Sequence, residues 1–107
     1  MMDYELMHIA RHYGEEKQTC KLIEELGEAV SAASEVLMMM TYREDAGKGV
    51  DLTDRLERLA WELADVQVVS EQLIWLFGLQ KDVEIARQVG IDKTLRRIAK
   101  ETACNTN

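Results

Sequence analysis

Four acidic side chains are spaced so that they can lie together on two helices. Glu25 and Glu28 are three residues apart, and Glu62 and Asp65 repeat that spacing further along the chain. A separation of three residues places both carboxylates on one face of a helix. Each pair also interrupts or borders a row of apolar residues, which sets these carboxylates apart from ordinary solvated glutamates.

Carboxylates brought together in this way require positive charge. If the two helices pair antiparallel, the acidic pairs meet near the middle of a helical hairpin, where they repel each other and become protonated unless cations neutralise them. Two divalent ions would balance the four negative charges of this set. Because the ligands are all oxygens, with no His or Cys, the pattern favours a hard ion, Mg²⁺ or alternatively Mn²⁺.

These residues also carry a family resemblance. The segments KLIEELGE (21–28) and ELADV (62–66) resemble the EExxE…ExxD signature of the all-α nucleoside triphosphate pyrophosphohydrolases, which include MazG proteins, dimeric dUTPases, dCTP pyrophosphatases and phosphoribosyl-ATP pyrophosphohydrolases. The segment KTLRR (93–97) resembles the basic element in the last helix of MazG-type domains, so the resemblance spans roughly residues 15–101. It implies a MazG-like helical bundle and cleavage of a triphosphate between its α and β phosphates, which yields a (deoxy)nucleoside monophosphate and pyrophosphate. It also implies four metal ligands: Glu25, Glu28, Glu62 and Asp65.

The remaining site residues follow from that interpretation. The predicted catalytic residues are Glu24, Glu25 and Glu62, with Glu24 orienting a ligand or the attacking water. Three basic residues are expected to contact the phosphates: Lys21, Lys93 and Arg97. Three further residues are candidates for contact with the nucleobase: Gln18, Tyr13 and His12. Because no Ser or Cys has a general base beside it in the pattern, direct attack by water is the simpler route.

Two features depart from the family pattern and leave alternatives open. Glu28 and Glu62 are separated by 33 residues, toward the long end for the family, and no His follows the ExxD motif. Phosphoribosyl-ATP pyrophosphohydrolases usually carry that His, so this activity is kept only as an alternative. The other alternative is a non-catalytic helical interaction module with a carboxylate-lined seam, which predicts no binding of divalent metal.

The elements that must position these residues are helices. Breaker residues predict a short first helix at about Tyr4–Tyr13, ended by Gly14, and a long helix at Glu15–Tyr42. A loop at Arg43–Gly49 follows, and a second long helix then runs from an N-cap at Asp51 to Phe77 and Gly78. Two short terminal helices complete the chain, one at Lys81–Val89 that ends at Gly90 and a last one capped by Asp92. The long helices each have an apolar arc, and we expect the arcs to face each other: Leu22, Leu26, Ala29, Val30, Ala33 and Leu37, against Leu56, Leu59, Leu63, Val66, Leu73 and Phe77. The predicted fold is therefore all-α, an antiparallel long-helix hairpin with short flanking helices.

Composition narrows the context. The 107 residues suit one domain (1–107), and a net charge of −7 argues against a nucleic-acid partner. No apolar run approaches the ~18 residues of a membrane span and no signal peptide is visible, so we expect no membrane partner and a cytoplasmic protein. A second apolar row on the later long helix includes Trp61 and Trp75. Because an apolar face must be covered, we expect a homodimer or homotetramer.

Overall fold

The computed structural model describes residues 4–42 and 52–105, and within these ranges it contains helices and no strands. The helices are α1 (Tyr4–Thr41), α2 (Leu52–Leu76) and α3 (Gln80–Asn105). The all-α prediction is therefore confirmed. The chain divides into two compact units, one ending at Phe77 and the other beginning at Gly78. The predicted loop at Arg43–Gly49 and the predicted cap at Asp51 lie outside the described residues.

Helix α1 is kinked at Gly14, as the sequence predicts. Gly14 has φ 82° and ψ 177°, a backbone conformation that only glycine adopts without strain. The kink separates a short N-terminal segment from the long segment that carries the predicted site residues. Helix α2 also ends where the sequence predicts, because Gly78 follows its last turn with φ 64° and supplies the left-handed residue of a helix C-terminus.

Helices α1 and α2 form an antiparallel hairpin. Contacts between them join Gln18 to Gln72 near one end and Glu35 to Arg55 and Arg58 near the other, so residue numbers rise along α1 as they fall along α2. The buried apolar residues of the hairpin are Ala10, Ala32, Val36, Val69 and Leu73. This pairing confirms the predicted hairpin.

The apolar arc predicted for α1 is partly wrong. Leu26, Val30 and Leu37 are exposed, whereas the buried positions of α1 beyond the kink are Gln18, Glu25, Ala32 and Val36. The seven-residue spacing of Gln18, Glu25 and Ala32 is that of a narrow seam between two helices. A single partner helix covers only such a seam, so the wider apolar arc extends past it into solvent.

Helix α3 corrects the prediction of two short helices. It runs without interruption through Gly90, because one glycine inside a helix costs about 1 kcal/mol relative to alanine and does not terminate it. Asp92 is therefore an interior residue whose Oδ1 accepts a hydrogen bond of 3.0 Å from Gln88 Nε2, rather than an N-cap. No described helix is both long and apolar enough to cross a membrane.

Candidate metal centre

Three carboxylates meet across the seam of the hairpin. Glu25 and Glu28 lie on successive turns of α1, and Glu62 faces them from α2. One oxygen from each lies within 4.8 Å of the others. The helical spacing brings the two α1 residues to one side, and the antiparallel register brings Glu62 opposite them. The sequence predicted all three.

The cluster has unsatisfied oxygen atoms. Glu25 is only 4% exposed, and Glu62 is partly buried. The Oε2 atoms of Glu25 and Glu62 are both buried without a hydrogen-bond partner in the described part of the chain. Buried polar atoms normally have such partners, and an unpaired buried carboxylate oxygen is costly. Carboxylate oxygens that converge in this way could hold a hard cation, and its identity as Mg²⁺ or Mn²⁺ stays a prediction.

Lys21 provides part of the missing positive charge. Its Nζ lies 3.0 Å from Glu25 Oε1 and 3.6 Å from Glu24 Oε2. The hydrogen bond with Glu25, assisted by the negative charge of Glu24, raises the pKa of Lys21. With all three clustered carboxylates ionised, one ammonium group leaves two negative charges uncompensated, which is the charge of one divalent ion.

The repulsion within the cluster is visible in Glu28. A hydrogen bond shared with Glu62 and the nearby negative charge of Glu25 both raise the pKa of Glu28. A hydrogen bond between two carboxyl groups needs a proton on one of them, so the metal-free cluster favours holding a proton. A metal ion would compete with that proton for the same oxygens.

A cavity of about 1040 Å³ adjoins the cluster and shares Glu25 with it. Asp65, the fourth predicted ligand, is exposed and lines this cavity; it is not a member of the three-carboxylate cluster. Glu24 and Lys21 line the cavity as well. The cavity therefore has an end formed by acidic and basic groups, as a polyphosphate site with a cation would need.

The predicted base-binding residues are only partly brought together. Tyr13 and Gln18 line the cavity, whereas His12 does not; the His12 ring lies edge-on to the Tyr13 ring, with centroids 4.7 Å apart. Lys93 and Arg97 lie on α3, in the second unit of the chain, and are exposed. Their contact with phosphate stays a prediction.

Sequence reasoning missed Lys17 and Gln72, which also line the cavity. Gln72 is 1% exposed, and its Oε1 accepts a 2.6 Å hydrogen bond from Gln18 Nε2. A usable signal was present, because Gln72 stands between Val69 and Leu73 on the apolar face of α2. A neutral amide in an apolar face is a weaker indication of a site than a carboxylate, because it carries no charge.

Comparison with protein-family models, with curated proteins and with solved structures gives no match to this chain. The resemblance to the all-α pyrophosphohydrolases therefore stays a prediction from the motif residues.

Proposed function

We propose that this protein is a Mg²⁺-dependent nucleoside triphosphate pyrophosphohydrolase. The observation that carries the proposal is the cluster of Glu25, Glu28 and Glu62. Glu25 and Glu62 each have a buried, unpaired oxygen, and Glu25 also lines a cavity with basic side chains. The EExxE…ExxD pattern contains these three residues together with Glu24 and Asp65. It supports the proposal independently of the cavity.

In this proposal, one set of residues binds the metal ion and another binds the substrate. Glu25, Glu28 and Glu62 would hold the cation, and Asp65 would complete the ligand set from the cavity wall. When bound, Mg²⁺ supplies charge neutralisation for the triphosphate and Lewis acidity at the reacting phosphate. Lys21 donates to phosphate oxygens from the same cavity, whereas contact of Lys93 and Arg97 with the phosphates stays a prediction from the sequence.

The reaction is direct hydrolysis. A water oxygen forms a bond to the α phosphorus, the bond from that phosphorus to the oxygen bridging to the β phosphorus breaks, and pyrophosphate leaves. Glu24, exposed at the edge of the cavity, orients the water and accepts its proton. Cys20 also lines the cavity, but no histidine among the described residues does, so the thiol has no evident base to activate it.

The interaction module is the competing function, and one observation favours it. Trp61 is 70% exposed on α2, as expected of a surface that binds another protein. The two functions differ in their response to metal. The module predicts no effect of Mg²⁺ on stability, whereas the enzyme predicts a rise in melting temperature, because a ligand that binds only the folded state stabilises it.

The decisive experiment is a panel of canonical and damaged nucleoside triphosphates, with phosphoribosyl-ATP included, assayed for pyrophosphate release with and without Mg²⁺. The proposal expects pyrophosphate and a nucleoside monophosphate from at least one triphosphate, and no release in the presence of a chelator. Release of orthophosphate alone would show that the enzyme does not cleave between the α and β phosphates. No hydrolysis together with no Mg²⁺-dependent stabilisation would favour the module. Turnover of phosphoribosyl-ATP alone would favour that alternative enzyme.

A further inference from the structure

The cavity has a second polar group, which is neither acidic nor basic. Gln18 from α1 and Gln72 from α2 both line it, and both are at least nine-tenths buried, at 6% and 1% exposure. Gln18 Nε2 donates to Gln72 Oε1 at 2.6 Å, so the pair joins the two helices. Neutral amides are weak partners for a metal or a triphosphate, and the function proposed above leaves Gln72 without a role.

The amide pair lies at a fixed distance from the acidic end of the cavity. Gln18 precedes Glu25 by seven residues, and Gln72 follows Asp65 by seven. Seven residues are two helical turns, or about 10 Å along each helix axis. A nucleoside can bridge such a span, with its phosphates at the carboxylates and its base at the amides.

Three other residues that line the cavity suit a base. Ile9 and Val68 line the same cavity with apolar surface, and Tyr13 contributes an aromatic ring that is half exposed. Aromatic rings are common stacking surfaces for nucleobases. The cavity thus combines a surface for the flat face of a base with amides for its edge.

Amides also have the hydrogen-bonding capacity that a base edge requires. Each Gln carries two N–H donors and an oxygen with two lone pairs, and the bond between Gln18 and Gln72 uses one donor and one lone pair. The same bond fixes how each amide is turned. We propose that Gln72, together with Gln18, reads the hydrogen-bonding edge of the nucleobase and sets the base preference of this site. This inference rests on the proposed function for the identity of the ligand.

The test separates the base from the phosphates by using probes that contain only one of them. The full chain is titrated with uridine, cytidine, adenosine and guanosine, and separately with inorganic tripolyphosphate and Mg²⁺. Gln72→Met keeps the length of the side chain and removes its donors and acceptor. Gln67→Met makes the same change at an exposed position of α2 that does not line the cavity.

We expect one nucleoside to bind more tightly than the others. Gln72→Met should weaken that binding about tenfold and reduce the differences among bases, because a hydrogen-bonded contact is lost. Affinity for Mg²⁺ and tripolyphosphate should stay within about twofold, since no charge is removed. Gln67→Met should match the wild type in both titrations.

A measurement on the wild type keeps the inference testable if Gln72→Met does not fold. The side-chain amide resonances of Gln18 and Gln72 should shift when the preferred nucleoside is added and should not respond to tripolyphosphate. An unchanged base ranking in a folded Gln72→Met, or amide resonances unaffected by every nucleoside, would overturn the inference. If tripolyphosphate binds with Mg²⁺ and no nucleoside binds, the base assignment is wrong while the metal site stands. If nucleosides bind through Gln72 and no triphosphate is hydrolysed, the proposed activity is wrong while the base assignment stands.

Discussion

At the residue scale, the most informative property of the carboxylate cluster is that burying it destabilises the folded protein. Glu25 lies at a seam position that Ala32 occupies one heptad later, and a small apolar residue there would pack without penalty. A buried carboxylate instead requires a cation, which Lys21 supplies only in part. Such a destabilising arrangement is typical of functional sites, where stability is lower than the fold alone would allow.

The first prediction concerns Glu62→Gln, which keeps the shape of the side chain and removes one negative charge. We expect it to stabilise the metal-free protein by relieving repulsion with Glu28, and to abolish most of the stabilisation by Mg²⁺. Turnover should fall at least about 100-fold. Replacing even a residue that only supports a metal ligand lowers metal affinity or activity about 10- to 100-fold, and Glu62 is proposed as a ligand itself. Thermal melts with and without Mg²⁺ and a pyrophosphate assay provide the measurements.

Glu57→Gln is the matched control, because Glu57 is exposed on the same helix. It should leave both the Mg²⁺ response and the turnover unchanged. If Glu62→Gln retained wild-type pyrophosphate release, the metal centre would be assigned to the wrong residues.

Sequence alone predicts the cluster because charge in an apolar row is a strong anomaly. Glu62 falls within an apolar arc, and Glu25 and Glu28 repeat the same pair spacing beside the apolar seam of the other helix. Asp65 was predicted to be equivalent to them, yet it lies exposed on the cavity wall, since a residue at the edge of a helical arc can face either the seam or solvent. Gln72 was missed because a neutral amide in a seam is a much weaker anomaly than a carboxylate.

At the scale of helices, three glycines illustrate what the sequence does and does not decide. Gly14 and Gly90 both looked like helix terminators, but only Gly14 has positive φ, and α3 continues through Gly90. Gly27 lies within α1, and a Cβ built there meets nothing within 4 Å. Residue type shows that a break is permitted; the contacts of the flanking segments decide whether it occurs.

The second prediction compares Gly14→Ala with Gly27→Ala in the same helix. Gly14→Ala should lower the free energy of unfolding by at least about 1 kcal/mol, because alanine is strained at this backbone conformation. Gly27→Ala should raise it by about 0.5–1 kcal/mol, because alanine reduces the freedom of the unfolded chain and fits the helix. Urea denaturation followed by circular dichroism gives both values. Equal effects of the two substitutions would contradict the kink.

The third prediction concerns the ion pairs that join the helices. Arg55 and Arg58 both contact Glu35, at 2.5 and 2.7 Å, and their hydrogen bonds lower the pKa of Glu35 below its usual value of 4.5. A lowered pKa means that this contribution to stability is present above the usual value and is lost as the pH falls through the folded-state pKa.

Glu35→Gln should therefore destabilise the protein at about pH 7, and the penalty should shrink toward about pH 3 as Glu35 of the wild type becomes protonated. Urea unfolding at the two pH values measures the difference. Glu71→Gln, at an exposed position of α2, should show no such dependence. A Glu35→Gln penalty that persisted undiminished in acid would mean that packing, rather than charge, links these residues.

At the scale of the whole molecule, the amount of exposed apolar surface is the main feature. The seam covers one narrow stripe of each long helix, and Trp61, Val30 and Leu37 remain in solvent. Trp75 is partly covered, with the Arg11 guanidinium 5.1 Å from its ring centroid. Large apolar side chains left exposed on a small protein are typical of an interface with another subunit or protein.

The fourth prediction is that the protein is a homodimer or homotetramer in solution. Light scattering at micromolar concentration should give a mass of at least twice the 12.3 kDa of the chain. Trp61→Glu should shift the distribution toward the monomer, because it places a charge in the apolar row. Gln67→Glu introduces the same charge at another exposed position of α2 and should not. A stable wild-type monomer would contradict this expectation.

The position of the carboxylates between two cross-helix polar contacts has a consequence for motion. The Gln18–Gln72 hydrogen bond lies on one side of the cluster and the Glu35–Arg55 ion pair on the other, so like charges are held together in the interior of the hairpin rather than at a frayed end. Without metal, we expect this interior segment to open locally before the hairpin separates as a whole. Backbone amides near Glu25 and Glu62 should then exchange with deuterium faster than amides near Gln72 or Glu35, and Mg²⁺ should slow them selectively. Uniform exchange along both helices, unaffected by Mg²⁺, would show that the clustered charges do not weaken the centre of the hairpin.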